Sequence, residues 1–163
     1  MEIRPVEEND RKGIINLVLD IYKEASFATT FSSEPSAESL DMMLRKKFWM
    51  VSSGRAIDYV AVDGGSIIGE CEVIKEGSIG KVGILVAKGY RKKGIGSALL
   101  KKCEEDAKWI GVRCLEAEIA VINIAARSFF EASGFSITDS ESIIKGGAKI
   151  IRAEKILDSL PNG

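Results

Sequence analysis

The chain contains no histidine, and its three cysteines, Cys71, Cys103 and Cys114, lie far apart with no Cys-x-x-Cys pair among them. Without histidine no Ser-His or Cys-His nucleophile system can be assembled, and the wide thiol spacing disfavours a zinc site. No metal is therefore expected. The cysteines read as buried, reduced packing residues. Long apolar runs are also missing, so no segment is a candidate membrane span. The opening Met1-Glu2-Ile3-Arg4-Pro5 lacks the apolar stretch of a secretory signal, and a cytoplasmic location is expected. Nor is there an excess of charge: the formal net charge of −1 removes the bulk electrostatic reason for a nucleic-acid partner. Any chemistry has to come from carboxylates, tyrosines, lysines or backbone groups.

What is present is a chain of 163 residues with 45% hydrophobic content, enough for one domain (1–163) around a substantial core. Residues 2–6 read as a first strand, and Asn9 or Asp10 as the cap of a helix running to about Ala25 with Ile14, Leu17, Val18, Ile21 and Tyr22 at helical spacing. Residues 27–35 break that pattern as a loop. Ser36 caps a second helix striped with Leu40, Met43, Leu44 and Phe48, where Phe48 and Trp49 read as core. Residues 57–62 and 67–74 flank Gly64-Gly65 as a hairpin, and 79–86 form a third consecutive strand. A helix over about 94–110, with Leu99, Leu100, Cys103 and Ala107 on one face, stops at Gly111. A strand over 114–121 and a helix over 124–132 follow, opened by Asn123 and ended by Gly134. Residues 135–138 and 143–156 close the chain as two antiparallel strands. This order is that of a mixed α/β domain, a central β-sheet flanked by helices.

The most informative stretch is Arg91-Lys92-Lys93-Gly94-Ile95-Gly96, set between an apolar strand and a long amphipathic helix. Two glycines at a helix entrance remove side chains that would keep a ligand off the backbone. The first amides of a helix have no earlier carbonyl to bind, and the dipole makes that end positive. With three basic side chains nearby, the site suits a diphosphate. A Rossmann fingerprint lacks its third glycine here, because Ala98 and Leu99 occupy that neighbourhood, and no Walker-type Gly-Lys-Ser/Thr is present.

Two segments together carry a family likeness. Ile84-Leu85-Val86 followed by Tyr90-Arg91-Lys92-Lys93-Gly94-Ile95-Gly96-Ser97 resembles the acetyl-CoA-binding motif of the GCN5-related N-acetyltransferase (GNAT) family, [Q/R]-x-x-G-x-[G/A] between strand and helix. Asn123-Ile124-Ala125-Ala126-Arg127-Ser128-Phe129-Phe130-Glu131-Ala132-Ser133-Gly134-Phe135 is similar to that family's second signature, one strand downstream. The resemblance implies the acyl-CoA N-acyltransferase fold, with acetyl-CoA as co-substrate in a cleft between two splayed strands. It implies a pantetheine arm paired along Ile84, Leu85 and Val86. The diphosphate would rest on amides around Lys93, Gly94, Ile95, Gly96 and Ser97, and Asn123 would hydrogen-bond the arm. Arg91 reaches phosphate or projects into solvent, and Lys92 adds charge.

The implied partners are acetyl-CoA and an amine acceptor, either a protein N-terminus or a small molecule, with a homodimer left open. In the ribosomal-protein alanine acetyltransferases of this family a glutamate on the strand before the Asn motif is the base, and Glu118 matches it. Glu70 and Glu72, alternating on one face of the hairpin strand, are rivals as base or as binders of a cationic substrate. The family's more usual location for a base holds Gly80 and Lys81 here. Many members carry a tyrosine to protonate the leaving sulfur; here that position is Phe130, which can pack beside the thioester but has no proton to give. Tyr90 or water is the expected substitute, and the amide near Val86 is expected to meet the oxyanion. A non-catalytic acyl-CoA-binding regulatory module is the rival in a different class.

Overall fold

A computed structural model describes residues 1–26, 33–145 and 148–158. In chain order the elements are β1 (Glu2–Pro5), α1 (Arg11–Glu24), α2 (Ala37–Ser52), β2 (Ala56–Asp63), β3 (Ser66–Glu76), β4 (Ile79–Val86), α3 (Ile95–Trp109), β5 (Cys114–Ala120), α4 (Ile124–Ala132), β6 (Ser136–Lys145) and β7 (Ala148–Ile156). All seven strands join one mixed sheet in the order β1-β2-β3-β4-β5-β7-β6. Every pairing is antiparallel except β4 with β5. No helix among the described residues is long and apolar enough to cross a membrane.

Local chemistry accounts for most of the element boundaries. Gly64 and Gly65 take positive φ of 55° and 80°, which a two-residue hairpin turn between β2 and β3 requires. Ser36 Oγ accepts from the Ser39 amide at 3.1 Å and starts α2. Gly111, at φ 92°, stops α3. The stripe Leu99, Leu100, Cys103 and Ala107 is buried against the sheet, in a core that also takes in Phe130 and Phe135. On the opposite face Ile14, Leu44 and Phe48 pack over Val60 as a second, smaller cluster. Thus α3 and α4 cover one side of the sheet, and α1 and α2 the other. Cys71 and Cys103 are buried and Cys114 half-buried, all three as free thiols.

Some expectations change. Asp10 does stand before α1, but its carboxylate turns back to accept from the Glu7 amide and from Arg4, closing a 3-10 turn instead of capping the helix. Trp49 is 58% exposed with the Arg55 guanidinium over its ring, so it is not core, and Met43 is exposed as well. Residues 143–145 belong to β6 and not to the last strand; an irregularity between Thr138 and Ile143 interrupts the β6–β7 register without ending the strand. Residues 146–147, between β6 and β7 in sequence, lie outside the described residues. Most of the expected 27–35 loop, residues 27–32, also lies outside them.

Candidate active site

The sheet parts where its two parallel strands meet. β4 and β5 pair only through Ile79, Gly80 and Lys81 with Cys114, Leu115 and Glu116. Beyond those rungs β4 continues against β3 and β5 against β7, so a fork opens between them. The Ser78 carbonyl accepts from the Arg113 amide on the β5 side, and the Ala87 amide donates to Ile68 on the β3 side. Two-residue alternation therefore aims the backbone groups of Ile84 and Val86 into the fork and those of Leu85 at β3. An extended ligand arm could hydrogen-bond to Ile84 and Val86 as an added strand does. Leu85 contributes only its side chain, on the α1/α2 face.

At the rim of the fork α3 begins without a side-chain cap. Its N-cap residue, Gly94, sits at φ 81°, and a Cβ built there would meet nothing within 4 Å. Lys92 is the one non-glycine residue with positive φ among those described, at 59°. Alternating left-handed residues before an uncapped helix turn successive amides toward one point, an anion-binding concavity. The Ala98 amide returns to the Gly94 carbonyl, leaving the amides of Ile95, Gly96 and Ser97 as the first-turn donors. The side chains of Lys92, Lys93 and Ser97 are exposed, whereas that of Ile95 is buried in the core, so Ile95 offers its amide alone. Gly96 has a different task from the one expected. A Cβ there would stand 3.2 Å from the Phe129 ring, so its bareness lets α3 and α4 approach.

Arg91 departs from both expectations. Its guanidinium bonds Glu24 Oε1 at 2.5 Å and Oε2 at 3.2 Å, and its Nε donates to the Val86 carbonyl at 2.9 Å. It clasps the end of α1 to the end of β4. Tyr90 likewise is committed elsewhere: its hydroxyl donates to Asp63 at 2.8 Å, and that bond raises its pKa, which does not suit a proton donor to the leaving sulfur. Asn123 caps α4, its Oδ1 accepting from the Ala126 amide at 3.1 Å. Phe130 is buried edge-to-face between Phe129 and Phe135, and one side of it faces the cleft.

The fork runs into a cleft of about 730 Å³. Ile84, Leu85, Glu118, Asn123 and Phe130 line it together, as do Glu70, Glu72 and Lys47. Register explains the convergence. Asp58 lies opposite Glu72, Glu72 opposite Gly83, Glu70 opposite Leu85, and Lys81 opposite Glu116, with Glu118 two residues further along. All therefore project from the α1/α2 face of the sheet. Lys81 pairs with Glu116.

The deepest part of this face holds a group that sequence reasoning missed. Lys47 of α2 reaches down to the sheet, with Nζ 2.9 Å from Asp58, 2.5 Å from Glu70 and 2.9 Å from Glu72. Among the described residues these three carboxylates form the one trio spaced to hold a metal ion, and the Lys47 ammonium stands among them. Burial works to lower the Lys47 pKa, but Glu70, Glu72 and Asp58 outweigh it and hold the lysine well above its ordinary range. Burial, then the charge of Glu70, pushes Asp58 from 3.8 up to about 8, and burial raises Glu70 too. Lys47 contacts Asp58 as an ion pair out of hydrogen-bond alignment. Both Asp58 oxygens and Glu70 Oε2 consequently lack a hydrogen-bond donor among the described residues. Lys47 follows Lys46 at the exposed-looking end of an amphipathic stripe, and only the acidic residues at 58, 70 and 72 hinted at a buried cation.

The chain matches the Acetyltransferase (GNAT) family over residues 18–135. No curated protein sequence matches it. Solved structures share its fold throughout. A GNAT-family acetyltransferase from Streptococcus pneumoniae superposes with TM-score 0.77 at 24% identity, covering 96% of this chain and 99% of that one. A ribosomal-protein-alanine N-acetyltransferase from Brucella melitensis gives 0.81 at 23%, covering 96% and 100%. A spermidine N-acetyltransferase from Vibrio cholerae, in complex with CoA and spermine, gives 0.74 at 18%, covering 95% and 94%.

Proposed function

Because the chain belongs to the acetyltransferase (GNAT) family, we propose that residues 1–163 act as one N-acetyltransferase domain moving an acetyl group from acetyl-CoA to a primary amine. The observation that carries this is the fork itself: a strand edge with no partner in the sheet, leading from an uncapped helix start at the rim to a carboxylate-lined cleft. When bound, acetyl-CoA supplies an acyl thioester open to direct attack.

The residues of this chain then divide the work. The amides of Lys93, Gly94, Ile95, Gly96 and Ser97 hold the diphosphate with the positive end of α3 behind them, and Lys92 and Lys93 add charge. Ile84 and Val86 pair with the pantetheine arm, Leu85 backs it, and the Val86 amide faces the carbonyl oxygen as charge develops there. Asn123 donates to the arm from its side-chain amide while its oxygen caps α4. Phe130 packs beside the thioester and keeps water away. Glu118, facing the cleft from β5, accepts the ammonium proton of the acceptor, directly or through a water. No side chain need protonate the sulfur, since a thiol with pKa about 8.5 leaves readily as thiolate. Arg91 exchanges Glu24 for phosphate or stays in its clasp with only its backbone at the site.

A protein α-amino group is the acceptor that the Glu118 match favours. The half-exposed carboxylate of Glu72 in the cleft favours a small cationic amine as second choice, whereas Glu70 is buried and taken by Lys47. Calorimetry with acetyl-CoA, followed by acetyl transfer to alanine-terminated peptides and to spermine, tests the proposal. Binding with transfer is the expected result; binding without transfer to any amine indicates a regulatory module, and no binding ends the proposal.

A further inference from the structure

The position of Glu72 has a cause on each side. On one side Lys47 holds Glu72 Oε2 at 2.9 Å. On the other, the carboxylate lies over β4 at Gly83, where a built Cβ would stand only 3.0 Å from Glu72 Oε1. The backbone at Gly83 has no left-handed φ that would demand glycine, so its bareness serves this close approach. The Glu72 side chain lines the cleft and is 31% exposed, whereas those of Asp58 and Glu70 are buried beneath Lys47. From Gly83 the next outward-facing backbone group of β4 is that of Ile84, at the edge of the fork. Glu118 faces the same space from β5.

We infer that Lys47 is a positioning residue for the acceptor: it fixes Glu72 so that Oε1, resting over Gly83, accepts a hydrogen bond from the amine while Glu118 takes its proton. This assignment rests on the acetyl-transfer reading above. An ammonium held this way gives one hydrogen to Glu72 as a hydrogen bond and loses a second to Glu118, forming a carboxyl O–H there. The lone pair released by that N–H cleavage is the one that attacks. Lys47 is suited to the holding role because Glu70 and Glu72 keep it charged and because it is buried, so it cannot itself swing out to compete as an acceptor. Asp58 and Glu70 anchor Lys47 from below, and Lys81 is occupied with Glu116 and does not reach across.

The experiment measures acetyl-CoA affinity by calorimetry, and kcat and KM for whichever of an alanine-terminated peptide and spermine the wild-type protein acetylates. Glu72→Gln keeps the shape and loses the charge, and is expected to raise the amine KM about tenfold or more with a smaller change in kcat. Gly83→Ala crowds Glu72 at both Oε1 and Cγ, one flexible side chain and no backbone, and is expected to raise the same KM about threefold to tenfold in a normally folded protein. Lys47→Met alone would strand buried charges, so it is combined with Asp58→Asn and Glu70→Gln, which removes the buried charges together. That triple variant is expected to reproduce the KM rise of Glu72→Gln. All variants are expected to bind acetyl-CoA as the wild type does. Unchanged amine KM in Glu72→Gln and Gly83→Ala, or a wild-type KM in the folded triple variant, overturns the assignment. So does a loss confined to kcat, or a wild-type protein that binds acetyl-CoA yet acetylates neither probe. Absence of acetyl-CoA binding by the wild type overturns the acetyl-transfer reading and this assignment with it.

Discussion

The two ends of the cleft are made from different materials. At the β4–α3 end the groups on offer are backbone amides, left by the uncapped start at Gly94 and by a strand edge with no neighbour in the sheet. At the α2–β3 end they are side-chain charges drawn from Lys47, Asp58, Glu70 and Glu72 on three separate elements. Backbone groups recognise what is common to every molecule with the same linker and need only a conformation. Charged side chains recognise one partner and need a scaffold. The contrast also appears among the helices: Ser36 and Asn123 cap α2 and α4 with their own oxygens, whereas α3 is left uncapped at the fork.

If this division holds, changes at one end should leave the other untouched. Glu118→Gln should lower kcat about 10²- to 10⁴-fold, the usual worth of a positioned general base, with calorimetric acetyl-CoA affinity unchanged. An unchanged rate across pH would remove Glu118 as the base. Gly94→Val should weaken acetyl-CoA about tenfold to a hundredfold, because a branched residue resists the φ of 81° and turns the amides away. Ser36→Ala, in contrast, should cost about 1 kcal/mol of stability by thermal melting with no effect on that affinity. Equal effects on affinity would dissolve the distinction between the helix starts.

A separate prediction concerns pH. Asp58 is raised from 3.8 to about 8 in the fold, so between those values the native state holds a proton that the unfolded chain has lost. Stability from this group is complete below 3.8 and declines as pH rises toward 8. Asp58→Asn should flatten that slope in melting temperatures measured across the range; a slope that persists would assign it to Glu70.

The same division decides what could be read in advance. Gly94 is legible because a left-handed helix entrance tolerates few other residues, and Asn123 because an N-cap has a short list of occupants. The stripe Leu99, Leu100, Cys103 and Ala107 follows from helical period alone and is buried as expected. Lys47 was not legible, since a lysine beside another lysine looks solvated until the strands beneath it are paired. The Arg91 clasp with Glu24 joins residues far apart in sequence, and no spacing announces it. Gly96 was read as room for a ligand when its neighbour is Phe129, a contact visible only once α4 is laid beside α3. The last two strands were divided in the wrong place because residues 139–142 are polar and look like a connection, whereas β6 runs on through them to Lys145.

The parallel pair at the centre of the sheet fixes one more property. β4 and β5 run in the same direction and diverge at their carboxyl ends, so the helices that follow them, α3 and α4, both start at the same lip. In an open sheet this is where the chain's own polarity gathers. On the function proposed above, a thread-like molecule laid there would be sorted head from tail before any side chain touched it, its anionic head kept at the lip and its neutral stem sent inward. Direction of entry is thus written into strand order.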